Sequence, residues 1–329
     1  MKDDILRELI NNKNRYLSGQ DLSAKFGISR TAVWKHINKL KEEGYIIESV
    51  TNKGYVLIES PDKLQPVEIK ELLNTKFVGK DIVYLNSVDS TNSYGKRLAE
   101  SDFSDGTVII AEEQTSGRGR LGRDWVSPMG KGIWMTIMLK PDIKPNLASQ
   151  VTLIAAMAVL KGIKAIYDID IMIKWPNDLV VNGKKVCGIL AELGAEIERV
   201  NYLCVGIGIN ANLDENDFKN QSLDMATSLK IAAGMEVERK KLIACILDIF
   251  EEYYSMFLEK GNLEFMIEEY KKYLINMGKE VRLVTKNEEI HATAEDITNE
   301  GHLLVRLDDG TLKEISSGEV SVRGIYGYL

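Results

Sequence analysis

Apolar residues recur at helical spacing three times within the first forty positions of the chain. Ser18 and Ser29 stand where the N-caps of the second and third helices are expected, and Gly27 suits a helix C-terminus. Two helices joined by a short glycine-containing turn are typical of a helix-turn-helix. Alternating residues on both sides of the polar turn 51–54 predict a hairpin wing after it. The three apolar runs are 5–10, 22–26 and 33–40.

Strand-like and helical patterns alternate through the middle of the chain. Asn182-Gly183, between two strand-like runs, is its strongest hairpin signal. Hairpin-linked strands with helices before and after them predict an α+β domain with a mixed or antiparallel sheet. The predicted strands are 82–85, 107–111, 133–139, 169–174, 179–181, 186–190 and 201–209. The predicted helices are 67–73, 91–100 and 147–167, with a further pair between 237 and 276.

The longest apolar stretch, 151–166, is interrupted by Lys161 and Lys164 and is shorter than the ~20 residues of a membrane helix. We therefore expect no transmembrane segment. The acidic N-terminus leads into no apolar signal region, and three scattered cysteines form neither a disulfide framework nor a metal-ligand spacing. A cytoplasmic protein is expected.

The last fifty residues alternate short strand-like runs with turns, which predicts a small β-barrel. The predicted runs are 280–285, 291–296, 303–307, 312–315 and 319–322. Between them, His291 and His302 are expected at the surface, since no third metal ligand lies nearby. The expected domains are 1–62, 63–277 and 278–329.

Composition and charge then divide the chain. Its 329 residues are 44% apolar and 28% charged, which excludes disordered and fibrous classes. The net charge of -7 opposes binding of nucleic acid by the chain as a whole. Residues 1–60, however, hold ten Lys/Arg and eight Asp/Glu, against 32 and 41 in the remainder. From Lys25 to Lys41 there are five basic residues and no acidic one.

A local basic stripe on an acidic protein is typical of a small DNA-binding module attached to a larger body. We expect the third helix to enter the major groove of DNA. The alternative is a small helical domain whose charges only keep a solvated face wet. The expected DNA contacts are Ser29, Arg30, Thr31, Lys35 and Lys39.

The segment 114–125 interleaves glycines with arginines between two predicted strands. Glycines let backbone N–H groups converge and arginines add fixed charge, so the segment suits an anionic ligand, and Trp125 offers a ring for a base to stack on. The pattern is neither a P-loop nor a dinucleotide-binding fingerprint. Two alternatives are an RGG-like RNA-binding tail and an exposed loop without a role.

Two lysines flank the next motif. Lys174-Trp-Pro-Asn-Asp178 bends between strand-like runs at its proline, and Lys185 precedes Gly188, where a ligand could approach closely. Either lysine alone would most often be solvated. Together with the arginines they predict a cationic site.

These motifs resemble those of the biotin protein ligases, specifically the bifunctional kind that also act as biotin operon repressors. The resemblance covers the whole chain, and the arginine-glycine loop followed by Lys-Trp-Pro-Asn-Asp is its most specific part. The motifs that carry it are Ser90-Thr91-Asn92, Gln114, 117–123, 174–178, 185–190 and 206–210.

The resemblance implies a class II synthetase-like ligase domain and an SH3-like C-terminal domain. It implies that biotin and ATP form biotinyl-5'-AMP and that a lysine of a biotin carboxyl carrier protein then takes the biotin. Catalytic roles fall to Lys185, Arg120 and Asp178, and Asp178 either binds Mg2+ or orients the incoming lysine. The implied biotin contacts are Ser90, Thr91, Asn92, Gln114, Gly117, Arg118, Arg120, Lys185, Gly188, Leu190 and Gly206. The implied nucleotide contacts are Arg120, Arg123, Trp125, Lys174, Asn177, Asn210 and Arg323.

The resemblance further implies operator DNA as a partner and a homodimer promoted by biotinyl-5'-AMP, with no membrane partner. Because biotinyl-5'-AMP is labile, the loop 114–125 is expected to act as a lid. The polar segment 212–217 is a candidate second lid, with no role assigned to its residues. A non-catalytic biotin-sensing repressor and a lipoate-type acyl-adenylate ligase remain as alternatives.

Overall fold

The computed structural model describes residues 1–219, 223, 225–284, 289–316 and, for the backbone only, 321–324. The chain divides into two compact units, Met1–Leu72 and Leu73–Leu329. The two expected boundaries between the three domains stay predictions.

The first unit is a winged helix-turn-helix, as the sequence predicts. The Ser18 hydroxyl accepts a hydrogen bond from the Asp21 backbone N–H at 3.0 Å, and the Ser29 hydroxyl accepts one from the Ala32 N–H at 3.1 Å. Gly27 ends the second helix at a positive φ of 64°. The elements are α1 (Lys2–Asn11), α2 (Gly19–Phe26), α3 (Arg30–Glu42), β1 (Ile46–Val50), β2 (Gly54–Glu59) and α4 (Pro66–Lys70).

The apolar faces of the three helices meet in one small core. Ile5, Leu9, Val33 and Ile37 are almost fully buried there, and each contributes roughly 1.5–3 kcal/mol by leaving water. The antiparallel β1–β2 hairpin covers this core. Because the buried positions of α3 point inward, its basic positions are left for solvent.

The second unit is built on a seven-stranded mixed sheet. Its strand order is β3-β4-β5-β9-β8-β7-β6, in which β3 and β4 are parallel and the other neighbours are antiparallel. The expected hairpin at Asn182-Gly183 joins β7 to β8, and both turn residues have positive φ. The strands are β3 (Ile82–Leu85), β4 (Thr107–Ala111), β5 (Ile133–Leu139), β6 (Ile171–Lys174), β7 (Asp178–Val181), β8 (Lys184–Ala195) and β9 (Val200–Ile209).

The second unit also contains helices, and the first two of them pack on this sheet. The main ones run close to the predicted ranges, although β8 extends five residues past the predicted strand end. They are α5 (Thr91–Leu98), α6 (Gln150–Ile166), α7 (Glu215–Lys219), α8 (Leu229–Ala233), α9 (Arg239–Lys260) and α10 (Glu264–Lys272).

The segment 145–166, which includes α6, is long and apolar enough to cross a membrane by length and composition alone. In this fold 72% of its most apolar window is buried in protein, and α6 packs against α9 and the sheet. Core helices of water-soluble proteins pass the same test. The helix therefore belongs to the core of the second unit.

The C-terminal strands form a five-stranded antiparallel sheet in the order β13-β12-β11-β10-β14. Each predicted strand run finds a counterpart, shifted by a few residues at its ends. The strands are β10 (Glu280–Val284), β11 (Glu289–Ile297), β12 (Leu303–Leu307), β13 (Leu312–Ile315) and β14 (Ser321–Gly324).

Candidate functional site

A cavity of ≈ 740 Å³ opens in the second unit and gathers most of the predicted site residues. Its floor is formed by β7, β8 and β9, and the segments that follow β4 and β9 line its sides. The predicted residues that line it are Ser90, Thr91, Asn92, Gln114, Arg118, Arg120, Arg123, Trp125, Lys174, Asn177, Asp178, Lys185, Gly188, Leu190, Gly206 and Asn210. Motifs that are far apart in the sequence, from Ser90 to Asn210, therefore share one site.

Two predicted residues are not placed in the wall. Gly117 is buried beside the cavity, where its carbonyl oxygen accepts a hydrogen bond from the Trp125 N–H at 2.9 Å. Its expected contact with biotin stays a prediction. A methyl group at this position would collide with the Trp125 carbonyl, so the fold itself requires a glycine here. The side chain of Arg323 lies outside the described residues.

The Ser90-Thr91-Asn92 motif forms the start of α5 at one end of the cavity. The Ser90 hydroxyl caps the helix, and both the backbone N–H and the hydroxyl of Thr91 donate to Gln114 Oε1, at 2.8 and 3.1 Å. The amide N–H of Gln114 then donates to the Ser127 hydroxyl at 2.8 Å. The two motifs are thus held together by hydrogen bonds between buried or half-buried groups.

Asn92 crosses to the sheet from the same helix. Its Nδ2 donates to the Leu190 carbonyl at 3.1 Å and to Glu192 Oε2 at 2.9 Å, while its Oδ1 accepts from the Thr136 hydroxyl at 2.6 Å. Glu192, which the sequence analysis missed, therefore holds Asn92 in place. A methyl group on Gly206 would collide with the Asn92 side chain, which explains a glycine at this point of β9.

The arginine-glycine loop brings a second set of cations to the cavity. Arg120 Nη1 donates to Asn177 Oδ1 at 2.9 Å, and Asn177 Nδ2 donates to the Ile189 carbonyl at 3.0 Å. Burial lowers the pKa of the Arg120 guanidinium, while Asp178 opposes that shift. Arginine stays charged at neutral pH all the same, so the cavity holds a partly desolvated cation.

Lys185 and Asp178 form an ion pair at the centre of the site. The Lys185 Nζ lies 2.6 Å from Asp178 Oδ1 and 5.1 Å from the centroid of the Trp125 ring. Both charged groups are largely buried, with 23% and 14% of their side-chain surfaces exposed. An anion that enters the cavity therefore meets a lysine already oriented by a carboxylate and an aromatic ring.

The ring of Trp125 lines the cavity and is partly buried, and the expected stacking of a base on it stays a prediction. It packs against Gly188 and Gly208, which face each other across β8 and β9. Among the described residues, its indole N–H is buried and has no hydrogen-bond partner. The ring covers the glycine pair and leaves one donor unused.

The tryptophan of the Lys-Trp-Pro-Asn-Asp motif both lines the cavity and anchors the motif in the fold. Trp175 is 1% exposed, its backbone N–H donates to Asn276 Oδ1 at 2.8 Å, and its indole N–H donates to the Gly301 carbonyl at 3.1 Å. Lys174 beside it is 4% exposed. Asn276, which precedes β10, and Gly301, in the turn between β11 and β12, thereby hold Trp175 in place. No local pattern indicates this link.

The segment after β9 supplies apolar groups that the sequence analysis left unassigned. Leu213 and Phe218 pack with Trp134 into a cluster on the cavity wall. Lys131 holds this segment through hydrogen bonds to Asp217 at 2.8 and 2.7 Å. This apolar cluster can contact an apolar or aromatic part of a ligand.

No metal cluster or reactive thiol is found at the site. In the described part of the chain, no group of three or more His, Cys, Asp or Glu side chains could hold a metal ion. Burial raises the pKa of the Cys187 thiol, so it stays neutral. His291 and His302 lie at the surface beside Glu289 and Glu314, as expected.

The first unit presents a separate cationic face. Arg30, Thr31, Lys35 and Lys39 are exposed on α3, while Ser29 caps that helix. Trp34 on the same helix is 54% exposed and was missed by the sequence analysis, although such exposure is unusual for tryptophan.

Three family models match the chain. The biotin/lipoate A/B protein ligase family matches residues 84–210, an HTH domain model matches residues 2–56, and the biotin protein ligase C terminal domain matches residues 277–323.

Relatives extend along nearly the full length. The bifunctional ligase/repressor BirA of Bacillus subtilis is 40% identical over 322 residues, which are 98% of this chain and 98% of that protein. BirA of Escherichia coli is 29% identical over 309 residues, 93% of this chain and 92% of that protein.

Solved structures match in fold. The biotin protein ligase from Aquifex aeolicus in complex with biotin and ATP has a TM-score of 0.65 and 34% identity, and the match covers 74% of this chain and 99% of that one. The biotin protein ligase from Leishmania major in complex with biotinyl-5-AMP has a TM-score of 0.50 and 25% identity, over 72% and 99% of the two chains.

Proposed function

The chain belongs to the family of bifunctional biotin protein ligases and repressors, and we propose from this premise that it makes biotinyl-5'-AMP from biotin and ATP. It then transfers the biotin to a lysine of a biotin carboxyl carrier protein. It also represses biotin genes in response to biotin. Its site is the cavity of the second unit, and its DNA reader is the first unit.

One observation carries the ligase proposal. Lys185, Arg120 and Lys174 converge on a single cavity that is also lined by the Ser90-Thr91-Asn92 motif. A ligase of this kind must bring a carboxylate against an anionic phosphate, and the repulsion between them has to be offset by cations already in place. The arrangement meets that demand without an enzyme nucleophile.

In the first step, a carboxylate oxygen of biotin attacks the α-phosphorus of ATP, and pyrophosphate leaves with the electron pair of the broken P–O bond. Negative charge builds on the phosphate oxygens as this happens. Lys185, oriented by Asp178, and Arg120, held by Asn177, are the groups that stabilise it. Their orientation before the reaction is what makes such charges effective.

In the second step, the neutral amine of the carrier lysine attacks the carbonyl carbon of the mixed anhydride. AMP leaves with the C–O electron pair, and the nitrogen releases a proton to solvent as the amide forms. We assign to Asp178 the role of orienting that amine. Its carboxylate forms an ion pair with Lys185, and a carboxylate oxygen in the cavity can accept a hydrogen bond from the N–H of the incoming neutral amine.

Water must stay out between the two steps because the mixed anhydride is labile. The arginine-glycine loop covers one side of the cavity and the Leu213–Phe218 segment covers another. Apolar groups on the second side suit the adenine ring. The two segments act as lids that close over the intermediate.

Mg2+ is proposed as a companion of ATP. Asp178 is one of three aspartates that line the cavity, with Asp124 and Asp217. Mg2+ is usually held by one or two carboxylates together with substrate phosphates. The donor set fits that mode and does not fit an all-protein cage. Bound there, the ion would neutralise phosphate charge.

Repression is assigned to the winged helix-turn-helix, whose exposed α3 face carries Arg30, Thr31 and Lys35. We infer that biotinyl-5'-AMP promotes a homodimer, which pairs two reading helices on a palindromic operator. The acidic remainder of the chain disfavours binding of one reader alone. Three free cysteines agree with a cytoplasmic protein.

Exchange of labelled pyrophosphate into ATP tests the ligase proposal. Exchange should require biotin and should not occur when lipoate replaces it, since lipoate is the substrate of the other ligase type. Lipoate-dependent exchange would favour the alternative. No exchange with either acid, together with biotin binding, would leave a non-catalytic sensor.

A further inference from the structure

A buried ion pair lies at the base of the arginine-glycine loop, outside the cavity. Glu112 is the first residue after β4 and Gly132 is the last before β5, so these two residues begin and end the connection that contains the loop. Arg239, the first residue of α9, is fully buried and Glu112 is 3% exposed. Neither side chain lines the cavity.

Arg239 reaches both ends of this connection. Its Nη1 donates to Glu112 Oε2 at 3.0 Å and to the Gly132 carbonyl at 2.9 Å. The Glu112 carbonyl accepts from the Gly130 N–H at 3.0 Å. One guanidinium and one glutamate thus close the base of the loop from inside the protein.

Tyr84 on β3 adds a further contact to the carboxylate. Its hydroxyl donates to Glu112 Oε1 at 3.4 Å. Burial and then the charge of Glu112 raise the pKa of Tyr84 to about 12, so the hydroxyl keeps its proton near neutral pH. The glutamate is held on both oxygens.

From this base the connection is paired like a hairpin. The Gln114 N–H donates to the Ser127 carbonyl at 3.1 Å, and the Trp125 N–H donates to the Gly117 carbonyl at 2.9 Å. Gln114 binds Thr91 and Trp125 covers the glycine pair, so both side chains depend on the registration of this pairing. A shift at Glu112 would move them together.

A buried ion pair is weak evidence for stability, because an apolar pair of similar volume often serves as well. The charged pair also fixes the direction of its hydrogen bonds, because the N–H groups of the guanidinium donate in the plane of the group. We propose that Arg239 and Glu112 are positioning residues for the ligase reaction, fixing the base of the arginine-glycine loop so that Gln114 and Trp125 meet the substrates. This inference rests on the proposed ligase function.

The test compares Glu112→Gln with Glu251→Gln. Glu251 is a second buried glutamate, 7% exposed, which accepts hydrogen bonds from the backbone N–H groups of Phe77 and Val78 and has no contact with the loop. Both substitutions remove a buried charge. Only the first should raise the KM for biotin, with a loss in kcat/KM on the order of 100-fold and a smaller loss in kcat, measured well below the melting temperature.

The rate of trypsin cleavage at Arg118, Arg120 and Arg123 measures how well the loop is held in place, and this measurement does not need ligase activity. Glu112→Gln should be cut faster than the wild type at these sites, and Glu251→Gln should not. This arm stands even if the wild type shows no pyrophosphate exchange, so failure of the ligase proposal and failure of this one are distinguishable.

Arg239→Lys provides the second variant. Lysine keeps the charge but loses the planar fork, so it cannot serve both Glu112 and Gly132 in the same way. The same KM effect and faster trypsin cleavage are expected. Equal kinetics and equal cleavage for Glu112→Gln and Glu251→Gln would overturn the proposal. So would an Arg239→Lys variant that fails to fold, since the pair would then serve stability alone.

Discussion

The ammonium of Lys185 is 2.6 Å from Oδ1 of Asp178, and this pair faces the ring of Trp125. A lysine on an open surface would turn freely, and fixing its four side-chain torsions would cost entropy when a phosphate arrives. In this fold the ion pair already restricts the Lys185 side chain before a ligand binds. The carboxylate of Asp178 also partly neutralises Lys185. An anionic ligand therefore has to compete with Asp178 for the ammonium of Lys185.

Lys185→Ala should therefore remove most of the adenylation activity. Loss of one oriented donor of this kind costs about 100- to 1000-fold in kcat. Biotin-dependent pyrophosphate exchange measures it. Lys184→Ala is the matched control, because Lys184 is the neighbouring residue on β8 and is exposed. Equal activity of the Lys185→Ala and Lys184→Ala variants would contradict the assigned role.

Local motifs could be assigned from the sequence because each is short and chemically unusual. The caps at Ser18 and Ser29, the turn at Asn182-Gly183 and the cavity position of Lys185 all follow from a few neighbouring residues. Such signals depend on local backbone geometry and charge, which the sequence carries directly.

Contacts between distant residues could not be assigned in this way. Arg239 and Glu112 are 127 positions apart, and Asn276 meets Trp175 across 101 positions. Each pair has ordinary residues in ordinary elements, so neither partner carries a local signal. Trp125 shows the same limit, because the position of its ring against the paired glycines Gly188 and Gly208 depends on two distant strands and has no local signal.

Gly208→Ala tests the place of that ring. A methyl group there would lie 2.5 Å from Trp125 Nε1, so the ring would have to move. Overpacking of this kind costs about 1–3 kcal/mol, and here the loss should appear as a raised KM for ATP or biotin. Steady-state kinetics check it. Gly194→Ala overpacks the same sheet against Tyr202, away from the cavity, and should leave both KM values unchanged.

The buried thiols should be inert in the native protein. Burial raises the pKa of Cys204 from 9.0 to about 12 and also raises the pKa of Cys187, so thiolate is scarce at about pH 8. Alkylation with iodoacetamide at that pH should leave both residues unmodified and activity intact, as mass spectrometry and pyrophosphate exchange would report. Rapid labelling of Cys187 without unfolding would contradict the packing.

The raised pKa of Cys204 also predicts that the free energy of unfolding decreases at alkaline pH. The folded pKa of Cys204 lies above its ordinary value, so the stabilisation from a neutral thiol is complete below pH 9.0 and declines as the pH rises toward about 12. Denaturant unfolding of Cys204→Ala and wild type across that range should show the difference between them changing only on the alkaline side.

DNA binding should depend on α3 through charge. Arg30→Ala and Lys35→Ala each remove an exposed cation from the predicted reading helix. If each contacts a phosphate, the slope of log affinity against log salt should fall by about 0.9 for each substitution. Mobility shifts with operator-like DNA, in the presence of biotin and ATP, measure this. Lys13→Ala, which replaces an exposed lysine outside α3, is the control and should leave the slope unchanged.

Ligation should be unaffected in all three variants, because these residues belong to the first unit and the cavity to the second. Loss of DNA binding together with ligation would indicate misfolding, and full operator binding by both α3 variants would place the reader elsewhere.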